Sequence, residues 1–282
     1  MNYPIAIIAA NRFNYFQQTF DALAPQIKDR QLFLFLDKPL NGGVDLQHVE
    51  YVKEKKIKNF TAIVRDTHYG CGRNIIDARR HIFENTSCDA MHLFEDDMVP
   101  APHYIEMNEK LFKKQTSLHF NVGATQLWKM CFLTREEKEQ RKDEVRATFD
   151  SLLGYIISRR CWDDVGPFLY AYEQMFLRGE NYRLRPHNDI WKWIISQHIF
   201  QPRFRFTPSY VYNKDDEVER IEYMQRFITG QDGVTIHMMH ILGWVRLSPI
   251  VNYGKYVGEW GVHHHPDLFR KQGYDKIEMF GD

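Results

Sequence analysis

Four short apolar runs restrict the folds open to this chain more than any other feature of its sequence. They are Ile5–Ala10, Leu32–Asp37 with its closing acid, Phe60–Val64 and Ala90–Phe94. A short continuous apolar run is typical of a strand buried on both faces. Helical spacing follows the first run, and a glycine-punctuated loop leads from the third run into a helix around residues 74–85. Strands that alternate with helices predict an α/β fold with a mostly parallel central sheet flanked by helices.

The second half of the chain has a less regular pattern. Residues 134–147 are strongly charged and predict either a surface helix or a mobile flap. The stretch 151–162 is apolar, so we expect it to return to the core. Residues 213–233 are polar and predict an exposed excursion from the fold.

Composition excludes several classes of protein. The 282 residues include 37 basic and 37 acidic side chains, so the chain has no net charge that would attract nucleic acid or a membrane surface. The four cysteines form no CxxC pair, which fits a reduced cytosolic protein better than a disulfide framework. The apolar run near the N-terminus lacks the basic lead and cleavage site of a signal peptide. No run approaches the roughly 20 apolar residues of a transmembrane helix, and we expect a cytoplasmic protein without a membrane span.

Polar side chains follow three of the four predicted strands at the point where each strand ends. Asn11 and Arg12 follow the first strand, Asp37 closes the second, and the triplet Glu95–Asp97 follows the fourth. The carboxyl ends of parallel strands meet at one edge of a sheet, and ligands bind there in α/β proteins. The sequence therefore predicts a binding site at this edge.

The acidic triplet, in the stretch HLFEDDMVPAPHYI, is the most informative part of that edge. Adjacent carboxylates in a loop often face solvent or cap the next helix. Here they come directly after a buried strand, where their mutual repulsion needs a positive partner. Hard oxygen ligands suit Mg²⁺ or Mn²⁺, which bind through one or two carboxylates together with substrate phosphates. We interpret the triplet as a divalent-cation site that serves a diphosphate leaving group.

Three segments resemble the N-acetylglucosaminyltransferase I-like glycosyltransferases, which have the GT-A fold. HIFENTSCDAMHLFEDDMVPAPHY resembles that family's helix, strand and EDD motif, the family's form of the DxD acids that hold a cation against a nucleotide-sugar. PIAIIAANRFNYFQQTFDAL and LFLFLDKPLNG are similar to its first and second strands. The resemblance implies one continuous GT-A unit, with a nucleotide-sugar-binding half at 1–130. The half at 131–282 would bind the acceptor, supply the catalytic base and include a C-terminal extension.

The resemblance also implies roles for residues of the triplet. Asp97 corresponds to the direct metal ligand, and Glu95 and Asp96 correspond to positions near the sugar or around that ligand. The family motif places a histidine where this chain has Asn74, so the contacts made by that position differ here.

Nucleotide contacts are expected from the other strand ends. Arg12 and Asp37 match nucleotide-contacting positions of the family, with Asn11 beside them. Arg73 lies in the glycine-rich stretch HYGCGRN before a helix, and a helix N-terminus attracts phosphate. That stretch lacks GxGxxG and Walker spacing, so we expect Arg73 to contact the donor without a dinucleotide or P-loop motif.

A transferase also needs a group that accepts the proton of the attacking hydroxyl. RPHNDIWKWI reads most simply as a helix start, with Asn188 or Asp189 as the cap. The order of GYIISRRCWDDVGP, HNDIWKW and RFRFTPSYVYN nevertheless resembles the acceptor half of the same family. On that match Asp189 is the general base of an inverting reaction, although retention of the anomeric configuration stays open.

Three consecutive histidines in GEWGVHHHP give two further candidate metal ligands. In a strand, His263 and His265 would face the same side, and many GT-A enzymes bring a histidine from this half to the metal. A histidine-rich surface turn fits the stretch equally well.

The sequence thus predicts a metal-dependent, inverting glycosyltransferase that uses a UDP-sugar and Mn²⁺ or Mg²⁺. The acceptor classes are a glycan, a protein or a hydroxymethylated base in DNA, in a bacterial or phage-infected cell. One alternative is a sugar nucleotidyltransferase, although AANRFN lacks the glycine-rich signature usual after the first strand of those enzymes. A second is a non-catalytic nucleotide-sugar-binding module.

Overall fold

The structure is a computed structural model that describes residues 3–149, 151–179, 182–200, 229–261 and 265–280. Its strands are β1 Ile5–Ala9, β2 Leu32–Leu36, β3 Phe60–Val64, β4 Ala90–Glu95, β5 Met98–Pro100, β6 Val122–Gln126, β7 Val145–Ala147, β8 Tyr155–Ser158, β9 Val245–Pro249 and β10 Gly254–Tyr256. Its α-helices are α1 Phe13–Ile27, α2 Gln47–Glu54, α3 Gly70–Asn85, α4 Tyr104–Leu118, α5 Arg135–Arg141, α6 Arg159–Phe176, α7 His187–Phe200, α8 Gln231–Ile241 and α9 Pro266–Lys271.

In this part of the chain eight strands form one sheet, in the order β3-β2-β1-β4-β8-β6-β9-β7. Strands β1 to β4 are mutually parallel, and β8 runs antiparallel to both β4 and β6. Strand β9 is parallel to β6, and β7 is antiparallel to β9. The predicted α/β fold, with a mostly parallel sheet flanked by helices, is confirmed. Strands from both halves of the sequence contribute to this one sheet.

The register places three of the polar strand ends together. Ile8 of β1 pairs with Glu95 of β4, and Ala9 pairs with Leu36 of β2. Asn11 and Arg12 therefore leave the sheet beside the residues that follow β2 and β4. This arrangement follows because β1, β2 and β4 are parallel neighbours, so their carboxyl ends lie at the same edge of the sheet.

Helices bury both faces of the sheet. Successive side chains along each strand point to opposite faces, so each strand packs against helices on both sides. Ile5 and Ile7 pack against α1, α2 and α4, whereas Ala6 and Ile8 pack with α3, α6 and α8. Helix α1 presents Phe16, Phe20, Leu23 and Ile27 to the sheet at helical spacing, as its sequence predicts. Each such fully buried side chain contributes about 1.5–3 kcal/mol, which fixes the helices over the sheet.

A separate two-stranded antiparallel sheet pairs β5 with β10. Tyr256 pairs with Met98, directly after the acidic triplet, and the Val257 N–H donates to the Asp97 carbonyl at 2.8 Å. This pairing brings residues 257–261 onto the triplet. We call these five residues the strap.

Several local predictions need correction. Strand β3 is half-exposed and not buried, and β2 is its one neighbour among the described strands. Helix α3 begins at Gly70, earlier than predicted, and Gly70 adopts a φ of 72° that favours glycine. The charged stretch 134–147 contains helix α5 and strand β7.

The stretch 151–162 enters the core as predicted: all four residues of β8 are buried, and α6 follows. The predicted exposed excursion at 213–233 falls largely outside the described residues. The prediction is wrong for the last residues of this segment, because Gln231 and Gly233 are buried at the start of α8.

All four cysteines are free thiols. The helices of the described residues include none with the length and apolarity needed to cross a membrane.

Candidate active site at the carboxyl edge of the sheet

Arg12 and two acids of the triplet form the centre of the site. The Arg12 Nη1 lies 2.8 Å from Asp97 Oδ2, and Arg12 Nη2 pairs with Asp96 Oδ1. The side chains of Asp96 and Asp97 are 3% and 4% exposed, whereas that of Arg12 is 28% exposed. Burial acts to lower the pKa of Arg12, but the two carboxylates raise it above its usual value. The positive partner that the triplet requires is thus present in the protein itself.

Burial raises the pKa values of two acids of the triplet, Glu95 and Asp96. It raises the pKa of Asp96 to about 7, against the lowering effect of Arg12. The pKa of Glu95 lies well above its usual value because the group is buried and because Asp97 and Asp232 are negatively charged nearby. Glu95 also accepts a weak contact from the Cys71 thiol, whose Sγ lies 3.8 Å from Glu95 Oε2. The cluster therefore crowds carboxyl groups where solvent screens their charges poorly, so Glu95 and Asp96 hold their protons more readily than free acids do.

Two oxygens of the cluster have no hydrogen-bond partner among the described residues. They are Asp96 Oδ2 and Asp97 Oδ1, and both are buried. Buried polar atoms are nearly always paired in native proteins, so such orphaned acceptors point to an absent partner. An oxygen-binding cation is a partner of the right charge.

The ligands available at this site decide which kind of cation binding it could support. In the described ranges no group of three or more His, Cys, Asp or Glu side chains is arranged to hold a metal. Asp96 and Asp97 offer two orphaned carboxylate oxygens, and Mg²⁺ typically takes one or two protein carboxylates with phosphate oxygens as further ligands. The site fits a cation that shares its coordination with a phosphate ligand.

Asp232 is a member of this acidic cluster that was not predicted from the sequence. It lies in the first turn of α8, where its Oδ2 accepts the Leu152 N–H at 3.3 Å, and it acts electrostatically on Glu95. Burial raises the pKa of Asp232, and the positive charge of Arg79 opposes that change. The sequence signal for this residue is an acid two residues before Val234, where a mainly apolar segment begins, a pattern that marks a helix start.

Arg79 fixes the beginning of α8. It is fully buried, and its guanidinium donates to Tyr155 Oη at 2.7 Å, Thr235 Oγ1 at 3.1 Å and Gln231 Oε1 at 3.2 Å. A buried arginine is retained only when its donors are satisfied. Since Gln231 and Thr235 flank Asp232 on the helix, these bonds hold Asp232 in place.

Asp37 closes the second strand as predicted, but it already has protein partners. Its Oδ1 accepts the Tyr69 N–H and its Oδ2 accepts the Gly70 N–H, both at 2.8 Å. Asp37 thus provides acceptors for two backbone N–H groups at the start of α3, which have no acceptor within the helix. Asn74, the position that departs from the family motif, is buried one turn later, where it donates to the Phe35 carbonyl at 3.3 Å.

Arg73 and Asn11 lie near this edge with different surroundings. The Arg73 Nε donates to Glu173 Oε1 at 3.2 Å, and its guanidinium stacks on the Tyr69 ring at 3.8 Å from the centroid. Asn11 is exposed directly after β1. The structure therefore leaves Asn11 accessible and gives Arg73 a partner on α6.

The strap closes against Asp97 and Arg12. A Cβ at Gly258 would lie 2.5 Å from Asp97 Oδ2, so only glycine fits this approach. The Trp260 N–H donates to Tyr15 Oη at 3.0 Å, and Arg12 Nη1 donates to the Trp260 carbonyl at 3.3 Å. The Trp260 backbone is thereby held at the site, while its side chain is 62% exposed.

The remaining predicted residues lie on the C-terminal half. Asp189 is exposed in the first turn of α7, whose Ile190 and Ile194 are buried as the helix pattern predicts. His265 is exposed and precedes α9, and His263 lies outside the described residues.

The sequence matches no family model, and it matches no curated protein. Several solved structures are similar in part. A crystal structure of residues 1–349 of Staphylococcus aureus TarS is 11% identical over 57% of this chain and 48% of that chain, with a TM-score of 0.41. The same TarS fragment was also solved in complex with UDP-GlcNAc, with a TM-score of 0.40 at 12% identity over 57% of this chain and 47% of that chain.

GalNAc-T7, solved with UDP, GalNAc and Mn²⁺, is similar at the same level. It is 10% identical over 58% of this chain and 36% of that chain, with a TM-score of 0.40. This chain thus spans less than half the length of each of these structures. Every TM-score lies below 0.5, so these likenesses do not determine the activity of this chain.

Proposed function

We propose that this chain is a GT-A-type glycosyltransferase that moves a sugar from a UDP-sugar to an acceptor hydroxyl with the help of Mn²⁺ or Mg²⁺. The observation that carries the proposal is a pair of buried carboxylate oxygens beside Arg12, one on Asp96 and one on Asp97, that have no hydrogen-bond partner in the described part of the chain. They lie at the carboxyl edge of a mostly parallel sheet, where α/β proteins bind ligands. The donor class is inferred from the resemblance of the strand and EDD segments to a UDP-sugar transferase family.

Each residue of the site would have a different role in such a reaction. Asp96 and Asp97 would hold the cation, with Glu95 beside them, and Arg12 would contact the diphosphate. The cation would supply Lewis-acid stabilisation of charge on the departing diphosphate. Because solvent screens charges poorly at this buried site, each of these electrostatic interactions is stronger than it would be in water.

The transfer itself exchanges one bond for another at the anomeric carbon. The acceptor oxygen forms a bond to that carbon while the bond to the diphosphate oxygen breaks, and UDP leaves with the electron pair. A carboxylate of the protein takes the hydroxyl proton. Attack from the face opposite the leaving group inverts the anomeric configuration.

Two carboxylates are candidates for the proton acceptor. Asp189 is the candidate from sequence, and it lies exposed in the first turn of α7. Asp232 is favoured by a separate observation, because it shares the electrostatic environment of Glu95 and is held by the bonds of Arg79 to its helix. We propose that one of them is the base, with Asp232 as the first to test.

The direct test is a screen of UDP-sugars for Mn²⁺-dependent hydrolysis, followed by trials with glycan, protein and hydroxymethylated DNA acceptors. We expect at least one UDP-sugar to be consumed only when the cation is present. NMR of the product should show the anomeric configuration opposite to that of the donor. Absence of Mn²⁺-dependent UDP binding in calorimetry would refute the proposal, and a retained configuration would refute inversion alone.

A further inference from the structure

The Arg12 guanidinium already bridges the two carboxylates that would hold a cation. Its Nη1 pairs with Asp97 Oδ2 at 2.8 Å and its Nη2 pairs with Asp96 Oδ1. Each acid thus pairs one oxygen with Arg12, and its other oxygen is buried and has no hydrogen-bond partner among the described residues. A guanidinium and a divalent cation placed on the same pair of acids would repel each other.

Arg12 is also the most exposed member of this group. Its side chain is 28% exposed, against 3% for Asp96 and 4% for Asp97. It stands at the end of β1, on the edge where a diphosphate would bind. Guanidinium groups bind phosphate oxygens as readily as carboxylates, through the same planar fork. A diphosphate therefore offers Arg12 a second partner close to the first.

We propose that Arg12 couples the binding of the two ligands, an inference that rests on the proposed function. In the free protein Arg12 neutralises Asp96 and Asp97 and holds back the cation. When a nucleoside diphosphate binds, Arg12 turns to the diphosphate and releases both carboxylates. Coupling of this kind is reciprocal, so the cation and the nucleotide each raise the affinity of the other by the same factor.

The strap is part of the same arrangement. Arg12 Nη1 donates to the Trp260 carbonyl at 3.3 Å, and a Cβ at Gly261 would lie 3.0 Å from that nitrogen. When Arg12 moves, the Trp260 carbonyl loses this donor, although its N–H keeps Tyr15 Oη as a partner. The exposed Trp260 ring should therefore report the movement through its fluorescence.

The test is a calorimetric titration of Mn²⁺ alone and of Mn²⁺ with saturating UDP. For the natural protein we expect UDP to tighten Mn²⁺ binding by about tenfold or more, within the usual range of couplings. Arg12→Gln should bind Mn²⁺ alone about tenfold tighter than the natural protein does, and UDP should tighten that binding by a smaller factor than in the natural protein, because only the shared phosphate ligand then couples the two. Arg141→Gln removes a guanidinium that pairs with Glu144, outside the triplet and the strap, and it should behave as the natural protein.

The inference is overturned if Arg12→Gln binds Mn²⁺ alone no tighter than the natural protein while UDP still promotes binding in both. That result leaves the proposed function intact. If the natural protein binds no Mn²⁺ even with UDP, the proposed function fails, and the inference fails with it. Should Arg12→Gln not fold, Arg12→Lys keeps the charge but cannot bridge both acids with a fork. It should then bind Mn²⁺ alone more tightly than the natural protein, and equal affinity would overturn the inference.

A fluorescence titration with UDP and Mn²⁺ supplies an independent readout. We expect the intrinsic tryptophan emission of the natural protein to change on addition of UDP. That change should be absent in Trp260→Phe, while Mn²⁺ binding is retained. A change of equal size in Trp260→Phe would contradict movement at the strap.

Discussion

Gly258 lies against the carboxylate of Asp97 so closely that no side chain fits between them. A Cβ at this position would be 2.5 Å from Asp97 Oδ2, and it would also meet the Tyr256 hydroxyl at 2.5 Å. The strap and the triplet are therefore one packed unit, although they lie far apart in the sequence.

The first prediction concerns this contact. Gly258→Ala should lower the free energy of unfolding by about 1–3 kcal/mol, because overpacking forces the strap or the carboxylate to move. It should also weaken Mn²⁺-dependent UDP binding, since Asp97 would be displaced. Thermal unfolding and calorimetry measure the two effects. Gly43→Ala is the matched control, because no atom lies within 4 Å of a Cβ built there.

The second prediction concerns the cation ligand. Asp97→Ala removes a buried carboxylate whose Oδ1 has no partner among the described side chains. We expect it to abolish Mn²⁺-dependent UDP binding, because cation and diphosphate would lose the oxygen that joins them to the protein. Asp29→Ala, which removes an exposed carboxylate paired loosely with Lys58 at 3.9 Å, should leave the affinity unchanged. Unaltered affinity in Asp97→Ala would rule out the proposed site.

The third prediction separates the two candidate bases. If Asp232 takes the proton, Asp232→Asn should lower turnover by about 10²–10⁴-fold while UDP-sugar binding stays within a factor of about two. Asp189→Asn should then be nearly as active as the natural protein. The reverse outcome would assign the role to Asp189. Should both variants keep full turnover, neither residue is the base. Loss of turnover with intact donor binding in either variant would exclude a non-catalytic binding module.

The fourth prediction concerns acid stability. Glu109 accepts from Arg30 Nε at 2.9 Å, and its Oε1 lies 3.3 Å from His92 Nε2. Burial acts to raise the pKa of Glu109, but His92 and Arg30 lower it from 4.5 to about 2. The unfolded chain then binds more protons than the folded one between those two values, so the native state loses stability as the pH falls through this window.

Glu109→Gln should remove that dependence. Its stability should be lower than that of the natural protein at pH 7, because Arg30 loses a charged partner, and the difference should shrink as the pH approaches about 2. Urea unfolding measured at pH 7 and at several lower pH values checks this. A parallel decline of both proteins through the window would show that Glu109 does not control it.

Much of the fold follows from local patterns in the first hundred residues. Runs such as Ile5–Ala9 and Leu32–Leu36 are apolar on both faces, which is typical of buried strands of a parallel sheet. One topological rule then places Arg12, Asp37 and the triplet at a single edge. Burial of β3 could not be predicted in this way, because only the order of strands decides which one lies at the edge.

The sequence by itself determined the alternation of strands and helices and the acids at the strand ends, because these depend on neighbouring residues along the chain. Only the tertiary structure decided that Asp232 acts on Glu95 and that Gly258 approaches Asp97. It also decided that Arg12 bridges Asp96 and Asp97. These relationships join residues far apart in the chain, and their geometry is set by packing of α8 and the strap onto the sheet, which no local periodicity encodes.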